Sequence, residues 1–155
     1  MAEFGIRAER PDSADVAALL DRHLAEMHRC SPSCKMNAMP AQRLGGEDVT
    51  FFTARVDGKL AAIGALKVLD ETRGEIKSMR AADEWRGSGA GKAMLAHLIE
   101  EARSRGLGWL GLETGRHRVF EPAQRLYARH GFSECEAFGS YANDDFCLCM
   151  SRTLD

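Results

Sequence analysis

Arg86-Gly87-Ser88-Gly89-Ala90-Gly91-Lys92 places three glycines within five residues, between two cations. The stretch follows a predicted strand, Glu75 to Ala81, and opens a predicted helix, Gly89 to Arg105, whose apolar face is Ala90, Ala93, Met94, Leu98, Ile99 and Ala102. Glycine admits backbone conformations barred to other residues and lets a ligand approach the chain closely. A helix N-terminus adds free N–H groups and the positive end of a dipole, both suited to phosphate oxygens. With Arg86 and Lys92 contributing charge, the stretch reads as a site for a phosphate-bearing ligand. The nucleotide P-loop does not fit, because it needs glycine where Arg86 stands and Ser or Thr where Ala93 stands. The dinucleotide pattern fails at Lys92, where it needs glycine.

Upstream, Phe4 to Glu9 reads as a short strand. A helix with Asp12 or Ser13 as its cap runs to about His28, carrying Val16, Leu19, Leu20, His23, Leu24 and Met27 at helical spacing. Cys30 to Gly46 has no clean period and reads as a loop. Val49 to Val56, the Asp57-Gly58 turn and Lys59 to Leu69 form a predicted hairpin. A turn over Glu71 to Gly74 then leads into the strand that precedes the glycines. Downstream come a strand at Trp109 to Glu113 and a helix from Pro122 to about His130-Gly131. Strands at Phe132 to Glu136 and Phe146 to Arg152 complete the order. The strand–helix–strand passage around the glycines implies a parallel crossover within an otherwise antiparallel sheet. No repeat or composition shift divides the 155 residues, so 1–155 is expected to be one α/β domain.

Two segments together resemble a known family. Lys77-Ser78-Met79-Arg80 followed by Arg86-Gly87-Ser88-Gly89-Ala90-Gly91 resembles the acetyl-CoA motif of the GNAT superfamily of N-acetyltransferases. Ala123-Gln124-Arg125-Leu126-Tyr127-Ala128-Arg129-His130-Gly131-Phe132 resembles its second signature. The resemblance covers essentially the whole chain and is nearest to small bacterial single-domain members. It implies a mixed, mostly antiparallel sheet, splayed where CoA enters, with helices on both faces. It also implies acetyl-CoA as acyl donor, with no metal, and direct attack by an amine in a ternary complex. CoA pyrophosphate would lie on the backbone of Arg86, Gly87, Ser88, Gly89, Ala90, Gly91 and Lys92. The pantetheine arm would pair with Met79, Arg80 and Ala81, and a backbone N–H there, such as that of Met79, would steady the thioester oxyanion. Tyr127 matches the family's proton donor to the departing thiolate. Thr114 stands beside Gly115 where the family often has asparagine, so backbone contacts to the arm are expected there.

An attacking amine must be neutral, which makes a general base useful; Glu75, Glu113 and Glu26 are the candidates. His23, Glu26 and Met27 end the first helix in the region that caps the acceptor pocket in this family, and Tyr141 in a predicted hairpin loop is a further acceptor contact. His23, His28, Cys30 and Cys34 do not follow the close-pair spacing of common zinc sites. Cys147 and Cys149 alternate on a strand and read as buried thiols. The net charge of −2 argues against nucleic acid or an anionic membrane as the main partner. No apolar run is long enough to span a bilayer, and the first ten residues lack a signal-peptide core. A cytoplasmic enzyme acting on a small-molecule amine is therefore expected, with homodimerisation open. The alternatives are a non-catalytic acetyl-CoA-binding sensor, or an acetyltransferase of protein N-termini or lysines.

Overall fold

The structure, a computed structural model, describes residues 3–30, 48–138 and 145–154. Its order is β1 (Gly5–Ala8), α1 (Ala14–Cys30), β2 (Val49–Val56), β3 (Lys59–Val68), β4 (Arg73–Ala81), α2 (Ala90–Ser104), β5 (Trp109–Gly115), α3 (Glu121–Arg129), β6 (Ser133–Glu134) and β7 (Cys147–Thr153). Short 3₁₀ turns at Asp83–Trp85 and Arg118–Phe120 lead into α2 and α3. The strands form one seven-stranded sheet in the order β1-β2-β3-β4-β5-β7-β6. Only β4 and β5 pair in parallel; the other described pairings are antiparallel. This is the mixed α/β sheet that the sequence pattern implies.

Strand alternation sends successive side chains to opposite faces, and two cores result. On one face, Phe51, Ile63 and Ala65 pack against Val16, Leu19 and Leu20 of α1. On the other, Phe52, Leu66, Ile76, Leu110 and Leu112 pack against Met94, Leu95, Leu98 and Ala102 of α2 and against Tyr127 of α3. The Ser13 carbonyl accepts the first helical bond of α1, from Ala17 N at 2.9 Å, so Ser13 sits at the cap position. Helices α2 and α3 end alike. Leu107 N bonds to Ala102 O and Gly106 N to Arg103 O, while Phe132 N bonds to Tyr127 O and Gly131 N to Ala128 O. Gly106 and Gly131 supply the left-handed residue, at φ +80° and +88°. This pair of bonds is the Schellman arrangement, which satisfies carbonyls that a helix end otherwise leaves bare.

Several boundaries differ from the sequence reading by one or two residues, two of them with a visible cause. Arg73 and Gly74 belong to β4 and not to the preceding turn. The Asp70 carboxylate accepts the Thr72 and Arg73 amides at 3.0 and 2.8 Å, which closes the turn early. The strand expected at Phe132 to Glu136 shortens to Ser133–Glu134, because the Phe132 amide is spent on ending α3. The loop read at Cys30 to Gly46 falls largely outside the described residues.

Strand β4 carries one extra residue relative to β3. Ile63 faces Arg80 but Ala65 faces Lys77, so Gly64 lies opposite both Ser78 and Met79. Ser78 absorbs the bulge at φ +53°. Gly64 lets α2 settle directly onto the sheet, since a Cβ there would stand 2.9 Å from Met94 Cγ and 3.0 Å from Leu98 Cδ1. Gly64→Val should therefore lower unfolding stability by ~1–3 kcal/mol, as overpacked cores do. Urea denaturation measures this, and an unchanged midpoint would show that α2 yields at no cost.

Candidate active site

Strands β4 and β5 share four parallel rungs, Arg73–Trp109 through Ile76–Leu112, and then part. Both continue, β4 to Ala81 and β5 to Gly115, each held by its outer neighbour. The gap cannot close. On the β5 side, Gln124 Nε2 donates to Gly115 O at 2.6 Å, and the Phe120 ring occupies the space where a Gly115 side chain would be. On the β4 side stand the Ser78 bulge and the packing of α2 over Gly64.

The gap is a cleft of about 680 Å³ that runs through the sheet. Its walls include Glu75 to Ala81 of β4, Leu112 to Thr114 of β5, Tyr127 of α3, and His23, Glu26 and Met27 from the last turns of α1. Residues 86–92, save Ser88, line its mouth. The structure thus brings together Met79, Arg80, Ala81, Thr114, Tyr127, Glu75, Glu113, His23, Glu26 and Met27 around one opening. Ser88 is set back from the wall, its hydroxyl turned to Trp85 O. Tyr141 lies outside the described residues, as do Cys34 and the side chains of His28 and Cys30.

The glycine loop fits an anion. Gly87 and Gly89 are at φ +77° and +94°, and no atom lies within 4 Å of where a side chain would begin on either. Gly89 is the N-cap of α2 and offers no side-chain cap. Ala93 makes the first helical bond, to Gly89 O, and Ala90 N reaches only Ser88 Oγ at 3.4 Å. The amides of Gly87, Gly89, Gly91 and Lys92 have no acceptor among the described residues. This is an unfilled ring of donors at a positive dipole end.

On the α2 side of the sheet, Tyr127 is 6% exposed and packs edge-on against Phe132 at 6.0 Å. Burial pushes its phenol up to about 12, so it holds its proton at neutral pH. The Schellman bonds fix the turn of α3 that carries it. Opposite, on the α1 side, Glu75 is 3% exposed and ion-paired to Lys77 at 3.2 Å. Glu113 is half-buried on the same face, beside Cys149, whose thiol is raised to about 11 chiefly by burial.

Sequence reasoning missed an ion-pair network that joins α1 to the loop. Glu26 accepts from Arg80 at 3.2 Å and lies 3.6 Å from Arg86. Asp83 stands 3.5 Å from Arg86, 3.7 Å from Arg80 and 3.1 Å from Arg22. Glu26 is thus tied to the two arginines that flank the loop. Arg80, Asp83 and Arg86 are spaced three apart, but their partners Arg22 and Glu26 lie more than fifty residues upstream, and nothing local in either segment announces that the two meet. His23 lies beside this network, and burial, with help from the Arg80 charge, lowers its pKa to about 4.

A glycine cradle at a helix N-terminus, a split parallel strand pair and a buried phenol thus meet at one cleft. The Acetyltransferase (GNAT) family matches residues 16–132, and the chain belongs to that family. It is 42% identical to the uncharacterized N-acetyltransferase YsnE of Bacillus subtilis over 90% of this chain and 92% of that protein. It is 33% identical to the IAA acetyltransferase of Azospirillum brasilense over 87% of this chain and 86% of that one. Among solved structures, a putative acyl-CoA N-acyltransferase from Klebsiella pneumoniae superposes with a TM-score of 0.81 at 29% identity, covering 100% of both chains. The protein is an N-acetyltransferase.

The half-buried His23 gives this site a pH signature. Because the folded pKa of His23 lies below the unfolded 6.5, the unfolded chain binds more protons between those values, and stability falls as pH drops from 6.5 toward 4. Glu9 and Asp15, both held near 2 foremost by hydrogen bonds from Arg55, lose their contribution only below the ordinary carboxylate range. His23→Gln should flatten the melting-temperature profile between pH 6.5 and about 4.5. Parallel profiles for the two proteins would show that His23 titrates normally.

Proposed function

We propose that this N-acetyltransferase passes the acetyl group of acetyl-CoA to a primary amine of a small molecule, by direct attack within a ternary complex. The observation that carries this reading is the passage through the sheet. A thioester laid in the cleft from the loop side meets Tyr127 on one face and the acidic α1 face on the other. Donor and acceptor can therefore enter from opposite sides and meet without a covalent enzyme intermediate. The solved relative from Klebsiella is named a putative acyl-CoA N-acyltransferase, and the IAA acetyltransferase is named for a small molecule, which supports the donor and the acceptor class in turn.

Bound acetyl-CoA supplies the activated acyl group; the chain supplies the rest. The amides of Gly87, Gly89, Gly91 and Lys92 hold the pyrophosphate, and the exposed backbone of Met79 to Ala81 takes the arm as an added strand. Glu113 accepts the proton lost by the amine, because it is half-buried where Glu75 is fully buried. Tyr127 delivers its phenolic proton to the leaving sulfur. Burial keeps the phenol protonated at neutral pH until the thiolate departs.

Calorimetry with acetyl-CoA should give 1:1 binding that is lost in an Arg86→Ala/Gly89→Glu double variant. No binding to the parent protein at millimolar CoA would sink the reading. With an amine found by thiol-release screening, Tyr127→Phe should lower kcat by ~10²–10⁴-fold while leaving acetyl-CoA affinity intact. Glu113→Gln should also lower kcat, and raising the pH should restore part of the loss because more of the amine arrives neutral. A loss that higher pH does not relieve would remove Glu113 from the role of base.

A further inference from the structure

Two residues other than glycine adopt left-handed backbone among the described residues, Asp57 and Ser78. Asp57 is explained by its place in the β2–β3 hairpin turn, next to Gly58. Ser78 takes its conformation, φ +53°, from the β4 bulge opposite Gly64, and its hydroxyl is buried without a hydrogen-bond partner among the described residues. Left-handed backbone and an unsatisfied buried hydroxyl each cost stability, and no hydrogen bond among the described residues offsets the second. Such a combination at a cleft wall points to a group that arrives with the ligand.

Which group follows from position. The cleft is closed at the Ile76–Leu112 rung and opens toward the α2 N-terminus. A donor whose phosphates rest on the Gly87–Lys92 amides must direct its acyl end toward the closed rung. Ser78 is the second residue past that rung on β4, and it lines the cleft. Lys77 is paired to Glu75, and Met79 packs into the α2-side core. Arg80 is held through its two terminal nitrogens by Glu26 and Asp83, toward α1, while its buried Nε, like the Ser78 hydroxyl, has no partner among the described residues.

We propose that the Ser78 hydroxyl donates a hydrogen bond to the carbonyl oxygen of the bound thioester and stabilises the negative charge that grows there during transfer. As the amine nitrogen bonds to the carbonyl carbon, the carbonyl electron pair moves onto oxygen, under Ser78. The pair then returns, the C–S bond breaks, and sulfur takes the Tyr127 proton. Ser78 keeps its own proton throughout. The inference rests on the reading of the cleft as an acyl-CoA site, and it adds a side-chain donor beside whatever the β4 backbone offers.

The test compares the parent protein with Ser78→Ala and Ser78→Gly, using CoA, acetyl-CoA and acetyl-CoA labelled with ¹³C at the carbonyl. In isotope-edited infrared spectra, the bound carbonyl stretch of the parent should lie below that of free acetyl-CoA, and both variants should move it back toward the free value. By calorimetry, both should lose about two- to tenfold of the affinity for acetyl-CoA relative to CoA. Ser78→Gly, which relieves the left-handed strain, should melt no lower than the parent while showing the same spectral change. Variants that leave the carbonyl stretch and the affinity ratio unchanged would overturn the role of Ser78 while the cleft reading stands. An equal loss for CoA and acetyl-CoA would overturn it too, by placing the hydroxyl on the pantetheine arm. A parent protein that binds neither ligand would remove both readings together.

Discussion

Everything in this protein depends on a parallel strand pair that stops too soon. Four rungs join β4 to β5, and beyond them two strands with intact outer partners run on without each other. Bare strand edges are a liability that proteins normally cover. Here they are kept open by packing on each side, α2 seated over Gly64 and α3 anchored to Gly115 through Gln124 and Phe120. Unpaired backbone donors and acceptors become a template for a ligand that can behave as a strand. The helices are in this sense wedges, and the small side chains at 64 and 115 are what let them seat.

The same architecture sorts chemistry by face. The α2 side is apolar and dry around Tyr127, which keeps a phenol protonated. The α1 side carries Glu75, Lys77 and Glu113 at half-buried or buried positions. Because a strand alternates its side chains, one run of β4 builds both environments, with Ile76 turned to the dry face and its neighbours to the charged one. A reaction that needs an acid at the leaving group and a base at the nucleophile gains from this separation, since neither group neutralises the other.

Much of this was legible in the sequence because it is local. Glycines at 87, 89 and 91 before an amphipathic run specify a strand-to-helix turn that can bind an anion, and Gly131-Phe132 after Leu126-Tyr127 specifies how α3 ends. The strand order follows from the hairpin at Asp57-Gly58 and one crossover. Illegible features depend on partners distant in sequence. Nothing near Glu26 indicates that it meets Arg80 and Arg86, and nothing near Ser78 indicates that its strand gains a residue against Gly64. The candidate bases Glu75 and Glu113 could not be ranked from sequence because they differ in burial, which only the sheet register decides.

The tie between Glu26 and the two arginines has a consequence for how this protein can change over generations. The last turns of α1 border the side of the cleft proposed for the acceptor, and the same turns anchor the loop proposed to receive the donor. A charged replacement at position 26 that suited a new acceptor would loosen the grip on the donor in the same step, so the two traits are inherited together. Met27 lines the same wall and carries no charge into the network. Divergence toward new acceptors is thus channelled through neutral positions of this kind, while the charged ones hold still as the shared chassis.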